Sequence, residues 1–162
     1  MNCLICNRIE QIRTRSNRHF VAELETGFVV LGDYQFFRGY TLFLAKQHAA
    51  ELHELQSSVK ERFLIEMSWV AEAVYKAFSP VKLNYECLGN AEPHLHWHIF
   101  PRHSDDPSPG TSSWKVDRAI RYDEGNKLTA ADLIWMRRDI LEALEKIEGI
   151  SILSTWQSDT SK

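Results

Sequence analysis

Apolar positions change period along the chain, and the changes divide it into elements. Residues 19–24 and 28–31 read as two short strands joined by Glu25-Thr26-Gly27, a glycine-containing hairpin turn. Residues 39–46, GYTLFLAK, are mostly apolar and predict a third, buried strand. The period then becomes helical. Val59, Phe63, Met67, Val70, Val74 and Ala77 fall on one face, Ser58 and Glu61 form a capping-box pattern ahead of them, and Pro80 ends the run. Residues 82–88 and 94–101 return to strand character. A second helix is predicted over residues 130–148, with Thr129 as N-cap and Gly149 as its stop. Its buried stripe is Leu133, Met136, Ile140, Leu144 and Ile147. Residues 6–15 read as one or two helical turns. The whole predicts an α+β fold: a mainly antiparallel sheet of about five strands, a long helix after the third strand and a C-terminal helix. Residues 104–113, SDDPSPGTSS, read as a mobile surface loop, and the polar tail from Gln157 as frayed.

Length and composition narrow the classes. A chain of 162 residues is one domain, with room for an appendage. We divide it into a domain over residues 1–115 and a helical extension over 116–162 packed on that same domain. With 19 basic and 22 acidic residues the net charge is −3, which argues against a nucleic-acid polymer as partner. Three cysteines cannot make a disulfide framework, and no apolar run approaches the ~20 residues of a membrane span. Residues 1–15 carry no signal-peptide core. The expectation is a cytoplasmic chain with no membrane contact. What stands out is seven histidines, three of them at His94, His96 and His98.

Read as a strand, these three alternate with Leu95, Trp97 and Ile99. The imidazoles then share one face at about 7 Å spacing, and the apolar set can pack on a helix. Three solvated surface histidines are a poor account of that pattern. Two accounts stay open on the residues alone. Neutral imidazoles at this spacing are good zinc ligands, and an imidazole is also a competent nucleophile near neutral pH. Cys3-x-x-Cys6 is a second signal, for zinc or redox chemistry, although no strand precedes it as a thioredoxin-like site would need. Cys87 reads as a small buried strand residue, and His19, His53 and His103 as surface residues.

The segment HLHWHIF resembles the His-φ-His-φ-His-φ-φ signature of the histidine triad (HIT) family, φ being apolar. Residues 39–48, GYTLFLAKQH, resemble the family's Gly-His-x-Leu-Val-x-Pro-Lys-x-His strand, and residues 52–55 the start of its next segment. MNCLICNRI resembles the Cys-x-x-Cys opening of bacterial members. The resemblance covers residues 3–102. It departs at Tyr40, where most members have a fourth active-site histidine, and at Ala45, where proline is usual.

The resemblance implies a bacterial-type nucleotide hydrolase, similar to diadenosine tetraphosphate hydrolases, acting on dinucleoside polyphosphates or nucleoside phosphoramidates. It implies attack by His96 on the α-phosphorus, with His98 and His94 as flanking partners. Asn84 and Asn90 would hold phosphate oxygens, Asp33 the ribose hydroxyls and Arg102 the distal phosphates, with Tyr40 bonded inside the site. Ile9, Phe20 or Phe28 would line the base cleft and Trp114 would cover the substrate. It further implies a structural zinc on Cys3, Cys6, His48 and His94, no organic cofactor, and a homodimer. Two other functions compete: a nucleotide-binding sensor without turnover, and a zinc hydrolase using His94, His96 and His98 as ligands.

Overall fold

The computed structural model describes residues 3–107 and 109–157. Ile5, Ile9 and Ile12 recur at helical spacing and are buried on one side of helix α1, Leu4–Arg13. Strands β1, Phe20–Glu23, β2, Gly27–Leu31, and β3, Thr41–Ala45, follow as an antiparallel meander. Helix α2, Ser57–Phe78, leads to β4, Lys82–Glu86, and β5, His96–Arg102. A single-turn helix α3, Arg118–Arg121, and helix α4, Ala130–Leu144, precede β6, Ser154–Thr155. The sheet has six strands in the order β4-β5-β3-β2-β1-β6, and every neighbouring pair is antiparallel. Among the described residues no helix is long and apolar enough to cross a membrane.

Period-two alternation gives each face of the sheet its own cover. Val29, Leu31, Phe43 and Ile99 face α2 and α4, where they meet Phe63, Val70, Val74, Leu133, Met136, Ile140 and Leu144. Each such side chain contributes roughly 1.5–3 kcal/mol by leaving water. Phe28, Val30 and Leu44 face the other way, towards Ile5, Ile9 and Ile12 of α1. His98 stands opposite Leu42 and His96 opposite Leu44 in the β3–β5 register, so both imidazoles lie on the α1 face. Alpha1 covers that face only in part, and the remainder is where a cavity opens.

Several expectations are corrected. The Ser58–Glu61 capping box does not form: α2 starts at Ser57 with Gln56 as N-cap and no side-chain cap bond, because Ser58 already lies in the first turn. The box at α4 does form, with Asp132 N–H donating to Thr129 Oγ1 (3.1 Å) and Thr129 N–H to Asp132 Oδ2 (3.0 Å). Alpha4 ends at Leu144, short of residue 148, although Ile147 beyond it remains buried. Strand β6 is an addition: two polar residues are too short a run to register as a pattern, yet they pair with Ala22 and Glu23. Cys87 lies exposed past the end of β4, and His103 is buried, its Nε2–H donating to the Arg38 carbonyl at 3.0 Å. The 104–113 stretch is pinned at Asp106 and at the Thr111 carbonyl, both held by Arg102. Of the expected frayed tail, residues 158–162 lie outside the described residues.

One buried charge ties the hairpin to α2. Glu66 is fully buried, and its carboxylate accepts from Glu25 N–H (3.0 Å), Thr26 N–H (2.9 Å) and Thr26 Oγ1–H (2.5 Å). Arg62 Nε, 3.3 Å away, supplies the countercharge. Replacing Glu66 by Ala leaves those donors facing an apolar interior. We expect a loss of about 3 kcal/mol in urea denaturation. A loss below about 1 kcal/mol would show that packing alone holds the hairpin.

Candidate active site

A cavity of about 560 Å³ lies on the α1 side of the sheet, with His96, His98 and Tyr40 on its floor. Ile5, Val30, Leu42 and Leu44 give it an apolar end. Gly32 makes room for Tyr40: a Cβ there would stand 2.1 Å from the phenol ring's Cδ1.

The site's hydrogen bonds form a directed chain, and its direction follows from one fixed acceptor. His94 is not in the strand; β5 begins at His96, and His94 occupies the bend before it. The His94 carbonyl lies 2.6 Å from His96 Nδ1 and can only accept, so His96 carries its proton on Nδ1 and keeps a lone pair on Nε2. That Nε2 lies 3.0 Å from His98 Nε2, which must then donate. His98 Nδ1 is left as an acceptor, and the Tyr40 hydroxyl donates to it at 2.6 Å. The tautomers are thus assigned from the network.

Burial enforces the neutral state the chain needs. It lowers the pKa of His96, outweighing the His94 carbonyl and Glu92, which favour the charged form. Burial and the neighbouring His96 push the His98 imidazole down to about 3. Burial, together with Tyr122 and Asp33, raises the Tyr40 phenol well above its ordinary value, so it keeps its proton.

His94 faces away from the other two imidazoles. Its Nε2–H donates to the Ala45 carbonyl at 2.8 Å, which leaves Nδ1 as a lone pair aimed at the N-terminal thiols. Cys3 Sγ and Cys6 Sγ lie 3.5 and 3.4 Å from that nitrogen, and His48 Nδ1 lies 3.2 Å from it and 3.3 Å from Cys6 Sγ. All four ligand atoms fall within 4.8 Å of one another, the one such group among the described residues. A tetrahedral zinc with two thiolates and two imidazoles requires ligand atoms roughly 3.3–3.8 Å apart. The donor set fits zinc, four of its contacts at 3.2–3.5 Å lie at or near that spacing, and the Ala45 carbonyl supplies the outer hydrogen bond that orients a ligating histidine. Convergence of His94, His96 and His98 on one metal is corrected by the same geometry: the strand carries two of them, and the third is turned to the cysteines.

The other expected site residues divide. Asn90, Asp33 and Trp114 line the cavity. Asp33 is paired with both terminal nitrogens of the Arg8 guanidinium; burial raises its pKa, but Arg8 more than offsets this and holds it below the usual carboxylate range. Arg102 and Asn84 are not brought to the cavity. Arg102 is 1% exposed, bonded to Asp106 (2.8 Å), Asn84 Oδ1 (3.0 Å) and the Thr111 carbonyl, and stacked on Phe37 at 4.7 Å. It serves as a strut because β5 runs on beneath the 104–113 loop. Phe20, Phe28 and Ile9 are core under α1, where the two phenyl rings meet edge-on at 6.3 Å. Sequence reading missed Arg8, Arg118, Arg121 and Tyr122, all at the cavity. Leu4 and Arg8, one helical turn apart beside the isoleucine stripe, were the available signal for the first; the others belong to no periodic pattern.

Comparison with known proteins agrees with this architecture. The HIT domain family model matches residues 13–105. The curated "Protein hit" of Bacillus subtilis strain 168 is 25% identical over 124 residues, covering 71% of this chain and 80% of that protein. A histidine triad (HIT) protein from Sinorhizobium meliloti 1021 superposes with a TM-score of 0.67 at 20% identity, over 80% of this chain and 93% of that one. A zinc-bound histidine triad family protein from Mycobacterium smegmatis gives 0.61 at 20% identity, over 90% and 94%.

The chain of donors makes a checkable statement about Tyr40. Tyr40→Phe removes the donor to His98 Nδ1 and leaves that nitrogen buried without a partner. We expect nitrogen chemical shifts to show His98 moving from a single Nε2–H tautomer to a mixture. An unchanged tautomer would mean that the His96 contact alone orients the ring.

Proposed function

The chain belongs to the HIT domain family, and on that footing we propose that it hydrolyses nucleotides at the α-phosphorus through a covalent nucleotidyl-histidine intermediate on His96. The observation that carries this reading is the unprotonated Nε2 of His96: its Nδ1–H is committed to the His94 carbonyl, Nε2 accepts only the exchangeable bond from His98 Nε2–H, and His96 lines the cavity. An imidazole kept neutral by burial is a nucleophile at ordinary pH.

In the first step His96 Nε2 forms a bond to phosphorus as the bond from phosphorus to the leaving group breaks and its electron pair departs. The His96 ring becomes positive and keeps its Nδ1–H on the His94 carbonyl. His98 Nε2–H, released from its bond to His96, donates instead to an oxygen on phosphorus or to the leaving group. In the second step water attacks phosphorus, the N–P bond breaks, its electrons return to Nε2, and the nucleoside monophosphate leaves with the water's oxygen while the water's proton passes to solvent. Splitting one displacement into two is the gain, and neutral donors offset charge without trapping the product. Asn90 serves phosphate oxygens, Asp33 the ribose and the Val30–Leu42–Leu44 end the base.

The reading includes a structural zinc held by Cys3, Cys6, His48 and His94, which when bound supplies a fixed crosslink and no reaction step. Through it the N-terminus of α1 would hold His94 still, and with it the carbonyl that orients His96. The same reading takes small nucleotides as partners, a homodimer as the working form and the cytoplasm as its compartment, where thiolates stay reduced.

His96→Ala should lower kcat/KM for a nucleotide substrate by about 1,000-fold or more. Acid quench of wild-type enzyme with radiolabelled nucleotide should trap label on His96. Wild-type turnover in the variant removes the nucleophile assignment; tight nucleotide binding with no turnover in the wild type makes the chain a sensor. For the metal, elemental analysis should find one zinc per chain, lost in Cys6→Ala together with several degrees of thermal stability. Metal-free wild-type protein of equal stability would refute the zinc assignment.

A further inference from the structure

Two arginines outside the family-matched residues 13–105 line the same cavity as His96. Arg118 and Arg121 come from α3, and Tyr122 follows them. The other charged groups lining this cavity are Arg8, Asp33 and Glu92. Arg8 is paired with Asp33, and Glu92 accepts from Leu4 N–H at 3.1 Å. Neither Arg118 nor Arg121 is ion-paired with a carboxylate among the described residues. Glu86 senses the charge of Arg121, but its carboxylate is engaged by Ser113 Oγ–H. Three arginines against Asp33 and Glu92 leave the cavity lining with one positive charge in excess, and with Arg8 paired to Asp33 that excess lies at Arg118 and Arg121.

Arg121 is anchored before any ligand arrives, and both arginines share one aromatic neighbour. Arg121 Nε–H donates to the Val116 carbonyl at 3.1 Å, which leaves both terminal nitrogens for another acceptor. The Arg118 and Arg121 guanidinium carbons lie 5.4 and 5.6 Å from the centre of the Tyr122 ring, and Tyr122 meets Tyr34 edge-on at 5.2 Å. Two guanidinium groups on one aromatic ring, unpaired and beside a phosphate-handling site, are suited to bidentate binding of phosphate oxygens.

We propose that Arg118 and Arg121 are specificity-determining residues that bind an anionic leaving group, so that the preferred substrates carry further phosphate beyond the α-phosphorus. The inference rests on the hydrolase reading above and sharpens its substrate class. As His96 Nε2 bonds to phosphorus, the P–O bond to the next phosphate breaks and that phosphate chain departs with the electron pair. The two arginines offset the charge it gains and transfer no proton. A phosphoramidate, which releases an amine, draws nothing from them. They take the part that Arg102, locked in its strut, does not play.

The test compares kcat/KM for diadenosine tetraphosphate with that for adenosine 5′-phosphoramidate. In Arg118→Gln/Arg121→Gln the ratio of the two should fall more than about tenfold from wild type, mostly through KM for the tetraphosphate. Arg118→Lys/Arg121→Lys should retain most of the ratio because charge remains. A ratio within about tenfold of wild type in the Gln pair overturns the proposal, and a Lys pair behaving like the Gln pair overturns the role of charge. If wild-type protein turns over neither probe, the hydrolase reading itself fails. The arginines are then judged by calorimetry: preference for adenosine triphosphate over the monophosphate should shrink in the Gln pair, and an unchanged preference overturns the proposal.

Discussion

The bond from His96 Nδ1–H to the His94 carbonyl governs the rest of the site. A carbonyl cannot donate, so this contact alone sets which nitrogen of His96 is free, and each later tautomer follows from it. The same residue offers its ring in the opposite direction, with Nε2–H on Ala45 and Nδ1 towards Cys3, Cys6 and His48. The backbone of His94 thus belongs to the hydrogen-bonded chain of His96, His98 and Tyr40, and its side chain to the group of Cys3, Cys6 and His48. The bend before β5 keeps the two groups apart. Had the strand begun two residues earlier, all three imidazoles would face the same way.

How much of this was legible depended on the kind of signal. The helices α2 and α4 announced themselves because burial of one face imposes a period, and the Thr129–Asp132 cap is a local device with a local signature. The His96–His98 face was legible because alternation along a strand follows from its geometry. The bend at His94 was not, since it depends on pairing with another segment: Leu95 N–H donates to the Ala49 carbonyl and Ala45 N–H to that of Leu95. Arg102 misled for a similar reason. A lone arginine after a strand gives no hint that Asp106, Asn84 and Thr111 will fold over it. Tyr40 was visible as a departure from the family pattern, but its partner became clear only in three dimensions.

Division of labour between the two sheet faces explains why the site tolerates such polarity. The α2–α4 side carries most of the core, including Phe43, Ile99, Ile140 and Leu144, and a smaller cluster lies under α1. Alpha1 is short and covers only part of its face. Imidazoles, a phenol and an Arg8–Asp33 pair occupy the uncovered part, where each polar atom answers another. The chain beyond β5 then closes the cavity from the other side with residues that share no period with the sheet.

Strand β6 has a consequence for growth of the sheet. It caps β1 with only two residues, and a strand that short offers too few free backbone groups to seed another. At the opposite end β4 presents five residues with one side unpaired among the described residues. The sheet is therefore polar in the sense of a filament with one blocked end. Joining through the open edge uses up both open edges at once, which leaves a finished pair and nothing for a third copy to extend.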